Sequence, residues 1–339
     1  MAVRMKDVAE RAGVSLSAVS LVLSGRRPRS ISLDTRERIL SIVEELGYRP
    51  NQHARSLARG SSNALGVIVS EIANPFFPEI IHAFEALAME HGFENQLVNT
   101  EYDEQRARLA VRKMIDNNIR GVAVFTSQLP DSVIEEIVQH RIPIVSVGST
   151  PPGPWISRIR IDYAQGIEDL LRYLVKLGHK RFAAIVGPED VPSARAYAIT
   201  LAKVAKTVGV TIQDVISCNY RHDGGMQAVH TLVAGKQVPT AILCANDLVA
   251  LGAISALEQA GMSVPKDVSV VGFDDIIFAR LARPPLTTSA VPRQELGKLA
   301  FEMLSKMMRL KRPKGEIRRL IPTLVVRDSA AAPRKIVAR

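Results

Sequence analysis

Polar and aromatic side chains follow apolar runs of this sequence, at the points where buried strands would end. The residues in question are Asn74, Arg195, Tyr220, Asn246 and Asp274. Amide, carboxylate and guanidinium groups form directed hydrogen bonds to hydroxyl groups, and an aromatic ring stacks on an apolar ring face. This combination of residue types is suited to binding a neutral polyol.

The residues that would support catalysis or metal binding are not arranged for either. No G-x-G-x-x-G segment follows a strand-like run, and no P-loop sequence occurs. Cys218 and Cys244 lie far apart among apolar residues, as buried thiols do in a reducing cytoplasm. The histidines show no metal-ligand spacing and no obvious partner; they are His53, His82, His91, His140, His179, His222 and His230. The sequence therefore predicts a protein that is not an enzyme and that holds no metal or cofactor.

An alternation of apolar runs and amphipathic stretches from residue 64 onward predicts the elements that position the candidate ligand residues. Buried parallel strands are predicted at 65–69, 95–98, 121–125, 143–147, 181–186, 215–220, 240–244 and 268–273, with the last ones near 287–291 and 320–326. Helices are predicted at 77–91, 103–117, 131–140, 165–177, 194–208, 224–234 and 247–260. The series repeats, which indicates two tandem doubly wound α/β lobes with a ligand cleft at the carboxyl ends of the strands.

The first 48 residues read as a separate all-α headpiece. Helices are predicted at 5–12, 16–23 and 33–46, with Ser15 and Ser32 as caps of the second and third. Two short helices joined by a glycine-containing turn and backed by a third are typical of a helix-turn-helix, whose second helix fits the major groove of DNA. The alternative is an ordinary three-helix bundle.

The stretch 46–60 joins this headpiece to the lobes. Gly47 is a natural helix C-cap and Pro50 stops a helix from running through, while Asn51 is placed to cap a short helix at 52–59. An isolated helix of this length is marginal in water, so we expect it to fold only in contact with another surface.

The positive charge of the chain is concentrated at its two ends. The chain of 339 residues has a net charge of +10 and is 47% hydrophobic. Residues 1–60 carry eleven basic and six acidic side chains, and residues 301–339 carry eleven and three. We interpret the C-terminal cluster as a solvated face and the headpiece charge as a sign of a polyanionic partner.

Several motifs together resemble the LacI/GalR family of transcriptional regulators. They are Lys6-Asp-Val-Ala-Glu-Arg-Ala-Gly-Val-Ser15, Ala18-Val-Ser20, Thr35-Arg-Glu-Arg-Ile39, Glu45-Leu-Gly-Tyr-Arg-Pro-Asn51 and Ala54-Arg-Ser-Leu57. The resemblance extends over about residues 3–328. It implies a homodimer whose headpieces read a pseudo-palindromic operator, with paired hinge helices in the minor groove, and lobes similar to periplasmic sugar-binding proteins.

By this resemblance, the DNA contacts fall into three groups. They are the recognition helix (Ser15, Leu16, Ser17, Ser20, Leu21), the following loop (Arg26, Arg27, Arg29) and the hinge helix (Asn51, Arg55, Leu57, Ala58). Leucine at 16 and 21 departs from the polar residues expected there, because leucine contacts thymine methyl groups but donates nothing to guanine. The loop is about two residues longer than usual in the family, and a solvated loop is an equal alternative. Leu57 corresponds to the wedge that opens a base step, although packing against its own headpiece is the alternative.

The resemblance also implies the ligand contacts. The expected set is Asn74, Phe76, Phe77, Thr126, Ser149, Arg195, Tyr220, Asn246 and Asp274. Within it, Arg195 is expected to grip the ligand, and Asn246 to bind it while Asp247 caps the following helix. Gly148-Ser149 departs from the Asp-Arg pair of many members. The hydrogen-bonding groups and aromatic rings of the expected set suit a sugar or a derivative, and a purine-type or phosphorylated ligand is left open. Trp155 either lines the mouth of the cleft or covers the hinge.

These observations predict an effector-controlled repressor. The expected divisions are the headpiece at 1–49, the hinge at 50–63, the two-lobe domain at 64–328 and a basic tail at 329–339, with the first lobe at about 64–160 plus 290–320 and the second at about 161–289 plus 321–328. The alternative, a solute-binding protein, would require a secretion signal and would have no use for the headpiece. We expect a cytoplasmic dimer, since no heptads follow Asp328 to form a tetramerising coiled coil.

The wedge assignment of Leu57 yields a first prediction. Leu57→Ala should weaken binding to a specific operator at least about tenfold, because the kinked step loses its intercalated side chain. Binding to non-specific DNA should change much less, since it depends on phosphate contacts. Equal losses on both DNAs, measured by fluorescence anisotropy at matched salt, would contradict the wedge role.

Overall fold

The computed structural model describes residues 3–23, 31–48, 62–126, 129–148, 150, 152–235 and 238–334. The chain divides into two compact units, Met1–Ser62 and Asn63–Arg339. In the part of the chain that is described, no helix is long and apolar enough to cross a membrane.

The N-terminal unit contains three short helices around a small apolar core. They are α1 (Met5–Ala12), α2 (Leu16–Leu23) and α3 (Leu33–Glu45). Gly13 ends α1 in the left-handed region, with φ of 64°, and so lets the chain turn sharply into α2. The hydroxyl of Ser15 accepts a hydrogen bond from the Ala18 amide at 3.2 Å, and that of Ser32 accepts one from Thr35 at 3.2 Å. Side chains from all three helices form the core: Val8, Ala9, Ala12, Val19, Val22, Ile39 and Ile42.

The first lobe of the second unit is built on a parallel sheet. Its strands are β1 (Ala64–Val69), β2 (Glu94–Asn99), β3 (Gly121–Val124), β4 (Ile144–Val147), β5 (Ile156–Ile161) and β11 (Ile317–Leu320), in the order β11-β5-β4-β3-β1-β2. Its helices are α4 (Phe76–Glu90), α5 (Glu104–Asp116), α6 (Asp131–Gln139) and, late in the chain, α12 (Arg293–Met308). Helix α12 packs closely on α4, because Gly297 leaves room for the backbone of Ile80.

The second lobe repeats this architecture. Its strands are β6 (Phe182–Val186), β7 (Ile212–Ser217), β8 (Ala241–Cys244), β9 (Ser269–Asp274), β10 (Thr287–Ala290) and β12 (Thr323–Val325), in the order β12-β10-β9-β8-β6-β7. Its helices are α7 (Tyr163–Lys176), α8 (Pro192–Val208), α9 (His222–Val233), α10 (Asp247–Gln259) and α11 (Ile277–Leu281). Strand β12 is antiparallel to β10, and the other pairs are parallel.

The chain passes three times between the lobes. The first crossing follows β5, the second follows β10, and the third lies between β11 and β12. Each lobe encloses apolar strands between helices on both faces, so the polar ends of the parallel strands are left to face the other lobe. The α/β class with an all-α headpiece and two doubly wound lobes is confirmed.

Five elements differ from the sequence prediction. Helix α12 (Arg293–Met308) and the short helix α11 (Ile277–Leu281) were not predicted. Strand β5 at 156–161 was not predicted, because Arg158 and Arg160 alternate with its apolar residues and hide the run. The run 320–326 is two strands in different sheets, since Pro322 has no amide hydrogen to continue a ladder. Strand β7 begins at Ile212, three residues before the predicted start.

Asp247 ties three elements of the second lobe together. Its carboxylate is fully buried and accepts hydrogen bonds from the Thr288 hydroxyl at 2.6 Å and the Ile276 amide at 2.8 Å. These contacts join the start of α10 to β10 and to the turn before α11. Burial raises the pKa of Asp247 to about 7, against the lowering effect of the two hydrogen bonds.

The raised pKa of Asp247 predicts a pH dependence of stability. Because the folded pKa of about 7 lies above the ordinary 3.8, the folded state favours the protonated form. The resulting stabilisation is fully present below about pH 4 and is lost as the pH rises through 7. Asp247→Asn should therefore reduce the fall in unfolding free energy between pH 4 and 7, by roughly 2–4 kcal/mol.

Denaturation can be followed by the fluorescence of Trp155, since it is the one tryptophan of the chain and belongs to the same unit. The exposed Asp214 provides a matched control, and Asp214→Asn should follow the wild type at every pH. A pH profile of Asp247→Asn that runs parallel to the wild type would contradict the assignment.

Candidate ligand cleft and nucleic-acid interface

The residues predicted to read DNA lie on one side of α2. Ser15, Leu16, Ser17 and Ser20 are exposed, whereas Leu21 is half-buried. Leu16 is 48% exposed, which leaves its methyl groups available for an apolar contact. The opposite side of α2 is committed to the headpiece core.

Eight of the predicted site residues lie outside the described part of the chain. They are Arg26, Arg27 and Arg29 of the long loop, Asn51, Arg55, Leu57 and Ala58 of the hinge stretch, and Ser149.

A cavity of about 570 Å³ lies between the two lobes. Both sheets contribute to its walls with the carboxyl ends of their strands, as expected for doubly wound folds. Its volume suits a small organic molecule. Seven of the predicted ligand residues line it: Asn74, Phe76, Phe77, Thr126, Tyr220, Asn246 and Asp274.

The first-lobe wall begins with the Asn74–Phe77 turn. The Asn74 side-chain oxygen accepts a hydrogen bond from the Phe76 amide at 3.0 Å, which shapes the entry to α4. The Phe76 and Phe77 rings meet edge to face with centroids 5.3 Å apart. Phe77 is buried in the first-lobe core, and Phe76 packs against the cores of both lobes. Phe76 is therefore sensitive to how the lobes are arranged.

An aromatic cluster that the sequence reasoning missed forms the second-lobe wall. Tyr163 lies 5.8 Å from Tyr197 and 5.3 Å from Phe273, measured between ring centroids, and Tyr197 meets Phe273 at 6.3 Å. Both tyrosines line the cavity. Burial raises the pKa of each phenol above its ordinary value, with a further contribution from Asp274. The hydroxyl groups are therefore neutral and able both to donate and to accept hydrogen bonds.

Tyr220 closes the cavity from β7. Its backbone is left-handed, with φ of 63°, and its carbonyl accepts a hydrogen bond from the Asn246 side-chain amide at 2.9 Å. A side chain at Gly187 would come within 2.0 Å of the tyrosine ring, so the ring position depends on this glycine. The position of Tyr220 thus depends on the Asn246 side chain and on the absence of a side chain at Gly187.

The cap of α10 is Asn246 and not Asp247, which was predicted to be the cap. Asn246 is the N-cap of α10, and its side-chain oxygen accepts a hydrogen bond from the Val249 amide at 2.8 Å. Asp247 was predicted to be the cap but is buried in contacts with Thr288 and Ile276. Both polar ends of the Asn246 side chain are therefore engaged by protein groups, although it borders the cavity.

The structure turns Arg195 away from the cavity. Arg195 is exposed and donates a hydrogen bond to the Glu189 carbonyl at 2.9 Å, and it is not among the lining residues. Residues two apart on a helix point in nearly opposite directions, and Tyr197 is buried and lines the cavity. The signal was present in the sequence, because Ala194, Tyr197 and Leu201 recur at helical spacing and are buried.

Asp274 presents a carboxylate to the cavity at the end of β9. Its backbone adopts φ of 113°, a strained value for a residue other than glycine. Among the described residues, none donates a hydrogen bond to its carboxylate. Burial, followed by the nearby Asp247, raises the pKa of Asp274 well above its usual range, and Arg293 acts in the opposite direction. Hydrogen bonds donated by a ligand would favour the carboxylate form of this group.

Two arginines connect the lobes beside the cavity. Arg293 donates to the backbone carbonyl of Asp274 and pairs with Glu79 of α4 at 2.6 Å. Arg221, at the start of α9, pairs with Glu71 of the first lobe at 2.8 Å. The Arg293 contacts are largely buried, whereas the Arg221 pair is at the surface and is correspondingly weaker.

No group of three or more His, Cys, Asp or Glu side chains in the described ranges is arranged to hold a metal ion. What the cavity offers is an aromatic wall, an unpaired carboxylate and several hydroxyl groups.

Comparison with known proteins matches two parts of the chain to two different family models. Residues 4–51 match the bacterial regulatory proteins of the lacI family, and residues 171–330 match a periplasmic binding protein-like domain. The HTH-type transcriptional repressor CytR of Escherichia coli (strain K12) is 33% identical over 334 residues, covering 98% of this chain and 97% of that protein.

Solved structures are similar over nearly the whole chain. The lac repressor dimer bound to operator and the anti-inducer ONPF superposes with a TM-score of 0.87 at 27% identity, covering 98% of this chain and 100% of that one. The CelR–cellobiose complex, a transcriptional regulator, gives a TM-score of 0.73 at 25% identity, covering 97% and 100%. On this evidence the chain belongs to the lacI family of bacterial regulatory proteins and is a DNA-binding transcriptional repressor rather than an enzyme.

Proposed function

We propose that a small polyhydroxylated ligand, a sugar or a sugar derivative, binds between the lobes and controls the affinity of this repressor for its operator. The observation that carries the proposal is the cavity, which combines an unpaired carboxylate at Asp274 with an aromatic wall in a chain that also has a helix-turn-helix. Such a wall stacks on a sugar ring while the carboxylate accepts from hydroxyl groups. The cellobiose bound by CelR is consistent with this ligand class.

The ligand contacts follow from the geometry of the cavity. Asp274 accepts hydrogen bonds from the ligand, and Tyr163 and Tyr197 supply the stacking surface. Asn74, Phe76, Phe77, Thr126 and Tyr220 form the remaining walls, as the cavity lining supports. Asn246 forms part of the cavity wall, but its side-chain nitrogen and oxygen are already hydrogen-bonded to Tyr220 and Val249.

We further propose that the repressor acts on a pseudo-palindromic operator as a dimer in the cytoplasm. The lac repressor dimer bound to operator supports this assembly. The recognition residues are then Ser15, Leu16, Ser17, Ser20 and Leu21, with the long loop and the hinge stretch making further contacts. An isolated hinge helix lies near its folding threshold, so a few kcal/mol of coupling suffices to control it.

Arg293 provides a physical route for that coupling. A ligand that binds Asp274 acts on the same residue whose carbonyl Arg293 holds, and Arg293 also holds Glu79 on α4. A change at the ligand therefore reaches a first-lobe helix through one side chain. The alternative function, a solute-binding protein, gives the N-terminal helices no role. The similarity of the chain to transcriptional repressors does not support it.

A ligand screen with two variants tests the proposed cleft. A panel of sugars, polyols and nucleosides is screened by thermal shift on the wild type, Asp274→Asn and Arg195→Ala. A ligand that stabilises the wild type should stabilise Arg195→Ala equally, since this side chain points away from the cavity. Asp274→Asn should weaken binding about 10–100-fold, as expected for the loss of one charge-assisted hydrogen bond.

Two results would contradict this assignment. Loss of the response in Arg195→Ala alone would mean that the arginine reaches the ligand. An undiminished response in Asp274→Asn would mean that the ligand binds without this carboxylate.

A further inference from the structure

Two arginines of β5 line the cavity without a protein partner. Arg158 and Arg160 lie two residues apart, so their side chains leave the same face of the strand, and both border the cavity. Among the described residues, neither guanidinium takes part in an ion pair or a hydrogen bond. Neither arginine was among the ligand contacts predicted from the sequence.

Partial burial distinguishes Arg158 from an arginine on an ordinary solvated surface, whereas Arg160 is exposed at the edge of the cavity. The Nε atom of Arg158 is buried, with no hydrogen-bond partner among the described residues. The hydroxyl of Ser146, which lies opposite Arg158 on β4, is buried and unpaired in the same way. Burial, followed by the charge of Arg160, lowers the pKa of Arg158. Arg158 is therefore a partly buried positive charge beside the cleft, and no acidic group among the described residues pairs with it.

A third arginine adds to the positive charge on this face. Arg319 of β11 lies opposite Arg160 in the sheet register, and like charges placed in this way destabilise a sheet. Arg319 is neutralised by an ion pair with Asp162, whose carboxylate also caps α7. Asp162 thus neutralises only Arg319, and among the described residues no carboxylate pairs with Arg158 or Arg160.

We propose that the effector of this repressor carries an anionic group, a phosphate or a carboxylate, and that Arg158 and Arg160 bind it. Guanidinium groups pair with both anions through two parallel hydrogen bonds. The hydroxyl-bearing part of the ligand then faces Asp274 and the tyrosine wall, and Lys203 adds a further positive charge to the lining. This inference rests on the proposed function and specifies its ligand as a sugar phosphate or a sugar acid.

The test compares neutral and anionic compounds of the same skeleton. Ribose is paired with ribose 5-phosphate, and glucose with glucose 6-phosphate and glucuronate; inorganic phosphate is the minimal anion. Binding is measured by thermal shift and calorimetry on the wild type, on Arg158→Gln/Arg160→Gln, and on Arg112→Gln/Arg172→Gln. The last variant removes the same charge from exposed positions of α5 and α7 outside the cavity.

The wild type and the Arg112→Gln/Arg172→Gln control should bind one anionic compound at least tenfold more tightly than its neutral parent. The Arg158→Gln/Arg160→Gln variant should lose this preference. If the double variant fails to fold, Arg158→Lys and Arg160→Lys replace it; they keep the charge but lose the bidentate geometry and should each reduce the preference severalfold. The phosphate and carboxylate arms identify which anion is used.

Equal binding of anionic and neutral compounds by the wild type would overturn the inference. So would an anionic response that persists in the Arg158→Gln/Arg160→Gln variant, or the lack of any anionic response in the wild type. A neutral sugar that binds both proteins and requires Asp274 would leave the proposed function standing while this inference fails. If no compound stabilises the wild type or changes operator binding, both fail.

Discussion

The contact of Arg293 with the backbone of Asp274 is the constraint on which the cleft depends. Arg293 begins the helix that returns to the first lobe, and it holds the strand end that presents a carboxylate in the second. The strained backbone of Asp274 persists because the surrounding contacts determine it. Because Arg293 also binds Glu79, the ligand-facing carboxylate and a first-lobe helix share one side chain. A ligand with different affinities for two lobe arrangements has a short path along which to act.

The cleft is asymmetric in chemistry. The second lobe supplies three mutually packed aromatic rings and a carboxylate without a charged partner, whereas the first lobe supplies two phenylalanines and a pair of uncompensated arginines. A ligand with a neutral sugar ring and an anionic substituent would match both walls. Its ring would face the aromatic side chains, and its anionic group would face the arginines. The surface pair of Glu71 and Arg221 also connects the lobes, but a solvent-exposed pair adds little energy to one lobe arrangement.

Much of this architecture follows from sequence periodicity. Most of the long helices and buried apolar strands were predicted within a few residues, because each has a strong periodic signal. Helix α12 (Arg293–Met308) was missed. Strand β5 was missed, since its arginines resemble solvent-exposed residues until the cavity beside them is known. The run at 320–326 looked continuous, although its two halves belong to different sheets. These errors concern tertiary placement, which local patterns do not contain.

The site shows the same limit at the level of single residues. Asp274, Tyr220 and the Asn74–Phe77 turn were found because strand ends converge at the cleft. Arg195 was chosen for its charge, while helical spacing marked its neighbour Tyr197 as the inward residue. Asn246 and Asp247 both suit an N-cap, and only the buried partners Thr288 and Ile276 decide between them.

The central claim is that ligand binding in the cleft and operator binding by the headpiece are one coupled equilibrium. The direct measurement is the operator affinity with and without saturating ligand, together with the ligand affinity with and without saturating operator. The account predicts that both affinities change by the same factor, on the order of 5–150, because coupling free energies are reciprocal. A ligand that binds the cleft tightly yet leaves operator affinity unchanged would contradict the account.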